Sequence, residues 1–216
     1  MEQLFLYLFW ISLQYQDSDI MGSSAALVFS TLTGIYLLAV LLRFLLQVAK
    51  ADFYNPVSQA VIKITDPMVR VLRSVIPGYK GIDFSSLVLA FAIEVVAICV
   101  LIILYGGTIP DAGFIITWAF VGVVLFIVNI YYYAILASII MSFVMMFSGS
   151  TNPHPLLLLV WQLTEPIMAP VRKIIPSMGG LDFSPIFIFI AIQIIQNFIL
   201  TTFGINQQHA MVIIGI

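Results

Sequence analysis

Long apolar runs alternate with shorter polar and basic segments along this chain of 216 residues. Four of the runs reach the roughly 20 residues that a helix needs to cross a bilayer. A helix satisfies all its backbone hydrogen bonds internally, so each run can span the hydrocarbon region on its own. The pattern therefore predicts an all-α membrane protein with four transmembrane helices, at Ser24–Gln47, Ser86–Tyr105, Phe114–Met141 and Pro185–Phe203.

Two further apolar stretches do not fit a simple crossing. No charged residue occurs from Gly113 to Phe147, which is longer than one perpendicular crossing, so we expect tilt or emergence of one end. The stretch Leu4–Leu13 is too short to span and lacks the basic residues that precede a signal peptide. We expect it to be an interfacial segment that ends in the polar residues Gln14–Asp19.

The segments between spans one and two, and between spans three and four, have amphipathic character. Apolar residues recur at helical spacing through residues 57–75, next to lysines and arginines. Asn55 and Asn152, each followed by proline, are candidate N-caps, and Thr-(Asp/Glu)-Pro then marks the start of a second short helix in each segment. Such helices lie at the membrane interface. They could form a docking platform for a partner or anionic lipid, or merely connect two spans.

The same motifs occur twice in the chain. Asn-Pro, Thr-(Asp/Glu)-Pro, Arg, Ile-Pro and Gly-(Ile/Leu)-Asp-Phe-Ser follow one another in both copies. Thr65 and Thr164 are 99 residues apart, whereas Asn55 and Asn152 are 97 apart, which indicates two residues gained in the second copy. The duplication predicts two tandem helical hairpins. Residues 1–105 hold the N-terminal segment and first repeat, and residues 106–216 the second repeat and tail.

Composition and charge place the chain in a membrane and orient it. The chain is 62% hydrophobic and 8% charged, against about 25% charged in soluble domains. The positive-inside rule makes both basic segments cytoplasmic, and both termini and the turn Gly106–Ala112 then face outward. We expect a cytoplasmic (inner) membrane location. The net charge of −2 does not point to a nucleic-acid partner, and we expect none. The eight basic residues are Arg43, Lys50, Lys63, Arg70, Arg73, Lys80, Arg172 and Lys173.

Charged residues near the ends of the spans form two candidate pairs. Asp83 follows Arg73 by ten residues, and Asp182 follows Arg172 by ten. We expect both pairs to form and to be structural. Each aspartate can also cap the helix that follows it.

Glu94 lies in the middle of the second span, and Gln193 occupies the equivalent position 99 residues later. An ionisable residue at the bilayer centre costs about 2.5–3.5 kcal/mol on insertion scales and marks a candidate functional site. One interpretation is a proton or ion relay between the repeats. The other is an interhelical hydrogen bond to Asn129, Gln193 or another polar partner inside the bundle.

Motifs for enzyme chemistry or metal binding are absent from the sequence. No nucleophile stands with a base, and the two histidines, His154 and His209, are far apart with no Cys/His cluster near either. The lone Cys99 cannot form an intramolecular disulfide. We therefore expect a protein that is not an enzyme, with no catalytic residue, no metal site and no cofactor.

The ordered motifs resemble the YggT family of small bacterial and plastid membrane proteins, over nearly the whole chain. The resemblance rests on Arg-(x11)-Asn-Pro, Thr-(Asp/Glu)-Pro, the repeated arginine and Ile-Pro-(x5)-Asp-Phe-Ser. The second copy departs from it, with Ser142 and Ala169 at the positions of Arg43 and Arg70. The resemblance implies a poorly characterised integral membrane protein: plastid relatives are linked to maturation of the cytochrome b6 haem, and bacterial ones to envelope stress, division or nucleoid partition. That breadth suggests a scaffold or assembly factor rather than one chemistry.

The function expected from these observations is that of a non-enzymatic membrane scaffold or assembly factor. Its expected partners are the bilayer, through anionic lipid headgroups, and either a membrane protein or a second copy of the chain. The alternative is a small channel or transporter component that uses Glu94. The candidate functional or structural residues are Arg43, Asn55, Arg70, Arg73, Asp83, Glu94, Asn152, Arg172, Asp182 and Gln193.

Overall fold

The computed structural model describes the backbone of residues 2–76, 78, 82–148, 154–175 and 182–215, and their side chains except at 2–21, 145–148 and 207–208. Within these residues the chain is all helical, as the apolar pattern predicts. The helices are α1 (Glu2–Val48), α2 (Pro56–Arg73), α3 (Phe84–Leu104), α4 (Ala112–Ser148), α5 (Pro155–Ile174), α6 (Ser184–Thr202) and the short α7 (Gln207–Ala210).

Four of these helices are long and apolar enough to cross a membrane. Their spanning portions lie within three residues of the predicted spans, because continuous apolar runs leave little choice of boundary. α1 packs on α3 and α4 on α6, and α3 also contacts α4, so the two hairpins form one bundle. The spanning portions are Gly22–Val48, Phe84–Leu104, Ala112–Val144 and Ser184–Thr202.

Two of the spanning helices extend beyond a bilayer. The prediction of a separate N-terminal segment is wrong, since the backbone of α1 stays helical through Gln14–Asp19 and runs for 47 residues. The prediction of an overlong third span is confirmed, since α4 has 37 residues. At 1.5 Å per residue α4 is about 56 Å long, whereas the hydrocarbon core is about 30 Å thick.

The connecting segments each form one helix rather than the predicted two. α2 continues through Pro67, and α5 continues through Pro166 and Pro170. A proline inside a helix removes one hydrogen bond and clashes with the preceding turn. Pro67 therefore leaves the carbonyl of Lys63 without its helical N–H donor. The hydroxyl of Thr65 is buried in the same turn and donates to the carbonyl of Val61 at 2.7 Å. The Thr-(Asp/Glu)-Pro motif therefore marks a buried hydroxyl within each helix and not a helix start.

The starts of α2 and α5 correct the predicted register of the repeat. Asn55 caps α2 as predicted, with its side-chain oxygen accepting the N–H of Val57 at 2.9 Å. The cap of α5 is His154, whose Nδ1 accepts the N–H of Leu156 at 3.3 Å. Asn55 and His154 are 99 residues apart, like the other motifs, so no residues were gained. Asn152, the predicted cap, lies outside the described residues.

The segment after α6 returns into the bundle. Ile205, Val212, Ile213 and Ile214 are buried in the main hydrophobic core, among side chains of α1, α3 and α4. His209 stacks on Trp118 of α4, with ring centroids 4.7 Å apart. Residues 205–215 are called the C-terminal tail below. They complete the core rather than forming an exposed extension.

Candidate functional site

Arg43 links the end of the first span to the interfacial helix α2. Its side chain is 6% exposed, and it donates to the hydroxyl of Thr65 at 3.0 Å and to Oδ1 of Asp66 at 3.1 Å. It also reaches the carbonyl of Ile62 at 3.5 Å, within the turn before Pro67. A planar guanidinium with five donors can serve several oxygens at once, so one side chain fixes α2 against α1.

Asp83 accepts hydrogen bonds at the other side of the same cluster. The predicted pair forms, since Arg73 donates to Oδ2 of Asp83. Ser86 donates to the same oxygen at 3.1 Å, and Nε of Arg43 lies 3.8 Å away. Asp83 stands at the N-cap of α3 but makes no cap hydrogen bond there. Burial opposes its charge, yet Arg73, Ser86 and Arg43 together hold the pKa of Asp83 below its usual range.

Arg70 occupies the solvent side of this first cluster. Its guanidinium lies 2.6 Å from Oδ2 of Asp66, one helical turn earlier, and its side chain is largely exposed. An exposed pair of this kind contributes about 0–1 kcal/mol, so Arg70 is free to serve as a surface charge. Burial opposes the charge of Asp66, but Arg43 and Arg70 outweigh it and lower the pKa of that carboxyl.

The second repeat builds its cluster with a single arginine. Nε of Arg172 donates to Asp182 at 2.8 Å, the predicted pair, and its NH1 atom donates to Glu165 at 2.7 Å. Asp182 also accepts the N–H of Ser184 at 2.9 Å at the start of α6. Burial opposes the charge of Asp182, but Arg172 and Ser184 lower its pKa. Ser142 stands where Arg43 stands in the first repeat, so Arg172 serves both acids.

A cavity of about 310 Å³ adjoins this second cluster. Its wall combines the ion-paired residues Arg172 and Asp182 with the buried hydroxyl of Thr164 and with apolar side chains. The other lining residues are Ser138, Ile139, Ser142, Phe143, Trp161, Met168 and Pro185.

The two interfacial helices are joined directly. Nδ2 of Asn55 donates to the carbonyl of Pro155 at 2.8 Å, and the N–H of Asp52 donates to Oε1 of Gln162 at 3.0 Å. Asn55 therefore caps its own helix with its oxygen and binds the first turn of α5 with its nitrogen. These contacts join α2 and α5 into one surface. The surface lies at the end of the bundle that carries the basic residues, and this end is called the basic end below.

Glu94 is fully buried in the middle of α3 and contacts the C-terminal tail. Its Oε1 accepts the backbone N–H of Ile214 at 2.7 Å. Among the described residues Oε2 has no hydrogen-bond partner. The partner is thus a main-chain N–H from the tail rather than the side chain of Asn129 or Gln193, and Gln193 lies exposed on α6. Gly122 of α4 makes the contact possible, because a Cβ there would come within 2.7 Å of both Oε1 and Cγ2 of Ile213.

Asn129 and Gln196 form a second polar contact at membrane depth. Nε2 of Gln196 donates to Oδ1 of Asn129 at 2.6 Å, joining α6 to α4. The amide nitrogen of Asn129 donates to the carbonyl of Gly215 in the tail. Interhelical hydrogen bonds of this type contribute about 0.6 kcal/mol on average. Both intramembrane polar sites therefore hold the same tail, one from α3 and one from α4.

Sequence reasoning missed four features of these sites: the contacts of Arg43, the cap at His154, the buried threonines and the tail. The cap at His154 could have been found by aligning the whole chain with itself at an offset of 99, which pairs His154 with Asn55. The tail had one weak signal, the apolar run Met211–Ile214 after the polar Asn206–His209. Within the part of the chain that is described, no group of three or more His, Cys, Asp or Glu side chains could hold a metal.

Four membrane-length helices and two interfacial helices in a duplicated order define a multi-pass α-helical membrane protein. The CCB3/YggT family model matches the chain twice, at residues 22–104 and 117–203, one match for each repeat. The chain belongs to the CCB3/YggT family.

Three relatives show how widely the sequence is shared. An uncharacterised protein of Pseudomonas aeruginosa is 40% identical over 195 residues, which is 87% of this chain and 96% of the relative. An uncharacterised protein of Vibrio alginolyticus is 35% identical, covering 82% and 94% of the two chains. The uncharacterised protein YggT of Escherichia coli K12 is 34% identical, covering 77% and 84%. No solved structure matches the chain.

Proposed function

We propose that this protein is a non-enzymatic scaffold of the cytoplasmic membrane, which assists assembly of a membrane complex in processes such as division or envelope stress. The observation that carries the proposal is the joined surface of α2 and α5 at the basic end. Its two helices are tied to each other through Asn55 and to the bundle through Arg43. A fixed surface of this kind presents side chains to a partner at little cost in ordering.

The exposed side chains of α2 suit a partner at the membrane surface. Ile64, Met68 and Val71 are each more than half exposed, and Lys63 and Arg70 are exposed beside them. The buried face of the same helix carries Ser58, Thr65 and Val69. α2 is therefore fixed by one face while an apolar face and a basic face remain available, the first for a membrane-protein partner and the second for anionic headgroups.

The environment of Glu94 favours the scaffold over the transport alternative. A relay needs a chain of groups that pass a proton or an ion from site to site. In the described residues Glu94 instead meets a main-chain N–H within the packed core, and it does not line the cavity beside the second cluster. This arrangement supports a structural role in which Glu94 holds the C-terminal tail.

Photo-crosslinking in native membranes tests the scaffold proposal. A photoreactive residue at Met68 of α2 is compared with one at Val96 of α3, a matched control because the two positions are almost equally exposed. We expect a discrete protein adduct from Met68 and only lipid adducts from Val96. Ile64→Ser should remove that adduct and impair growth complementation at unchanged protein abundance. Equal adducts from both positions would contradict the proposal.

A flux assay addresses the alternative. Liposomes that contain the purified protein should be no more permeable to protons or small cations than empty liposomes. Permeability that Glu94→Gln abolishes in a folded protein would replace the scaffold with a channel or transporter component.

A further inference from the structure

The second repeat keeps the oxygen atoms that bind an arginine in the first repeat but lacks that arginine. In the first repeat Arg43 donates to Thr65 and Asp66 and approaches Asp83. The counterparts of these acceptors, 99 residues later, are Thr164, Glu165 and Asp182. The counterpart of the donor is Ser142, which is too short to reach them.

The cavity beside the second cluster corresponds, by the offset of 99 residues, to the surroundings of the Arg43 guanidinium in the first. Its lining residues Ser142, Thr164 and Asp182 are the counterparts of Arg43 and of two groups that surround the guanidinium. With about 310 Å³, it has room for a small polar headgroup, since one water takes about 30 Å³ of liquid volume.

The hydroxyl of Thr164 has an acceptor position that the described residues do not use. It donates to the carbonyl of Val160 at 2.9 Å, just as Thr65 donates to Val61. The oxygen of Thr65 additionally accepts from Arg43 at 3.0 Å. Thr164 is only 2% exposed and lines the cavity, and a hydroxyl oxygen can accept as well as donate.

The net charges of the two clusters also indicate a missing cation in the second repeat. The first joins three arginines to two carboxylates and carries a net charge of +1. The second joins only Arg172 to Glu165 and Asp182 and carries −1. The second cluster therefore attracts a cation that the described residues do not supply there.

We propose that this cavity binds the primary ammonium group of a phospholipid headgroup, of the phosphatidylethanolamine class, at the place that the guanidinium of Arg43 occupies in the first repeat. The position of the cavity along the spans favours a lipid as the source of the ammonium group. Phe143 is one residue from the end of one span and Pro185 one residue from the start of another, which places the cavity at headgroup level. Trp161 beside it is half exposed, as is common at the membrane interface. The inference is independent of the scaffold function.

Two lipids that differ only in N–H donors provide the test. The full chain is delipidated in detergent and titrated with phosphatidylethanolamine or with phosphatidylcholine, whose methylated nitrogen has no N–H. Native mass spectrometry counts the bound lipids. We expect one saturable phosphatidylethanolamine and on the order of tenfold weaker phosphatidylcholine. Equal affinities for the two lipids would overturn the proposal. Free ethylammonium that binds as tightly as the lipid would also overturn it, because the site would then recognise a soluble cation.

Variants of the cavity make the test specific. Ser142→Arg supplies a guanidinium from the chain and should abolish phosphatidylethanolamine binding, while Val144→Arg adds the same charge at an exposed position that does not line the cavity and should not. Thr164→Val keeps the shape, removes the acceptor and should weaken binding on the order of tenfold. Undiminished binding by both Ser142→Arg and Thr164→Val would overturn the proposal, and if Ser142→Arg does not fold, Thr164→Val alone decides.

Discussion

The main-chain N–H of Ile214 donates to the side chain of Glu94 across 120 residues of sequence. The bond joins the centre of α3 to the C-terminal tail. It gives a buried carboxyl group a structural partner that no side-chain motif in the sequence indicates.

Substitutions at Glu94 distinguish two roles of its side chain, a structural role in holding the C-terminal tail and a role in transport. Glu94→Gln keeps an oxygen that can accept the N–H of Ile214, so thermal stability in detergent and growth complementation should both be retained. Glu94→Leu leaves that N–H buried without an acceptor and should lower the free energy of unfolding by about 1–3 kcal/mol. A Glu94→Gln protein that is folded and abundant but inactive would instead favour the relay.

Gly122 should be far less tolerant of substitution than another glycine of α4. Gly122→Ala places a methyl group against Glu94 and Ile213, and overpacking of this kind costs about 1–3 kcal/mol. Gly113→Ala is the matched control, because a Cβ there meets no atom within 4 Å and alanine favours helix. Equal melting temperatures for the two variants would show that the tail does not pack against α4.

The two equivalent arginine–aspartate pairs of the repeats should differ in their contribution to stability. Asp83 is 2% exposed and serves two arginines, whereas the side chain of Asp182 is 36% exposed. Asp83→Ala removes a buried carboxylate that accepts from the half-exposed Arg73 and from Ser86, and it should cost about 1–3 kcal/mol, while Asp182→Ala should cost about 0–1 kcal/mol. Denaturant unfolding of the two variants measures the difference, and similar losses would contradict it.

Charge reversal within the first pair should be rescued only in part. Arg73→Asp should reduce membrane abundance, and adding Asp83→Arg should restore some of it by reforming the pair in reverse. Restoration stays incomplete because the new cation would face Arg43, whose Nε lies 3.8 Å from Oδ2 of Asp83. A double variant no more abundant than the single one would mean that the pairing is not what stabilises this region.

Acid should destabilise the basic end. Asp66, Asp83 and Asp182 have pKa values lowered in the folded protein. Their stabilisation is fully present about one pH unit or more above the unfolded pKa of about 3.9. It falls as the pH drops below about 5 and through the folded values. Melting temperatures between pH 3 and 7 should show this loss, and Asp83→Asn should flatten it. An unchanged slope in that variant would remove Asp83 as its source.

The predicted orientation can be tested without disturbing the tail. Single cysteines, in a Cys99→Ala background, are placed at Lys63 on α2 and at Gly107 in the turn between α3 and α4. An impermeant thiol reagent should label Gly107→Cys from outside and Lys63→Cys only after the membrane is opened. The reverse pattern would invert the topology. A reporter fused to the C-terminal tail is less suitable, because it would pull on residues packed in the core.

The sequence predicted what depends on local pattern and missed what depends on distant contact. The spans followed from apolar runs, and the two ten-residue ion pairs followed from charges near helix ends. The register error arose because Asn152-Pro153 repeats the letters of Asn55-Pro56, whereas the cap at the equivalent position is His154. The contacts of Arg43 and Ile214 join elements far apart in sequence, which neither periodicity nor spacing encodes.

The position of the C-terminal tail also sets a time order for biogenesis. Glu94 enters the membrane with the first hairpin, yet its partner Ile214 is synthesised 120 residues later, roughly 6–24 s at 5–20 residues per second. During that interval the carboxyl group and the groove around Gly122 must be shielded by lipid, by the insertion machinery or by another membrane protein. A ribosome that stalls after α6 would therefore leave an incomplete bundle with a polar group at its centre, a target for membrane quality control.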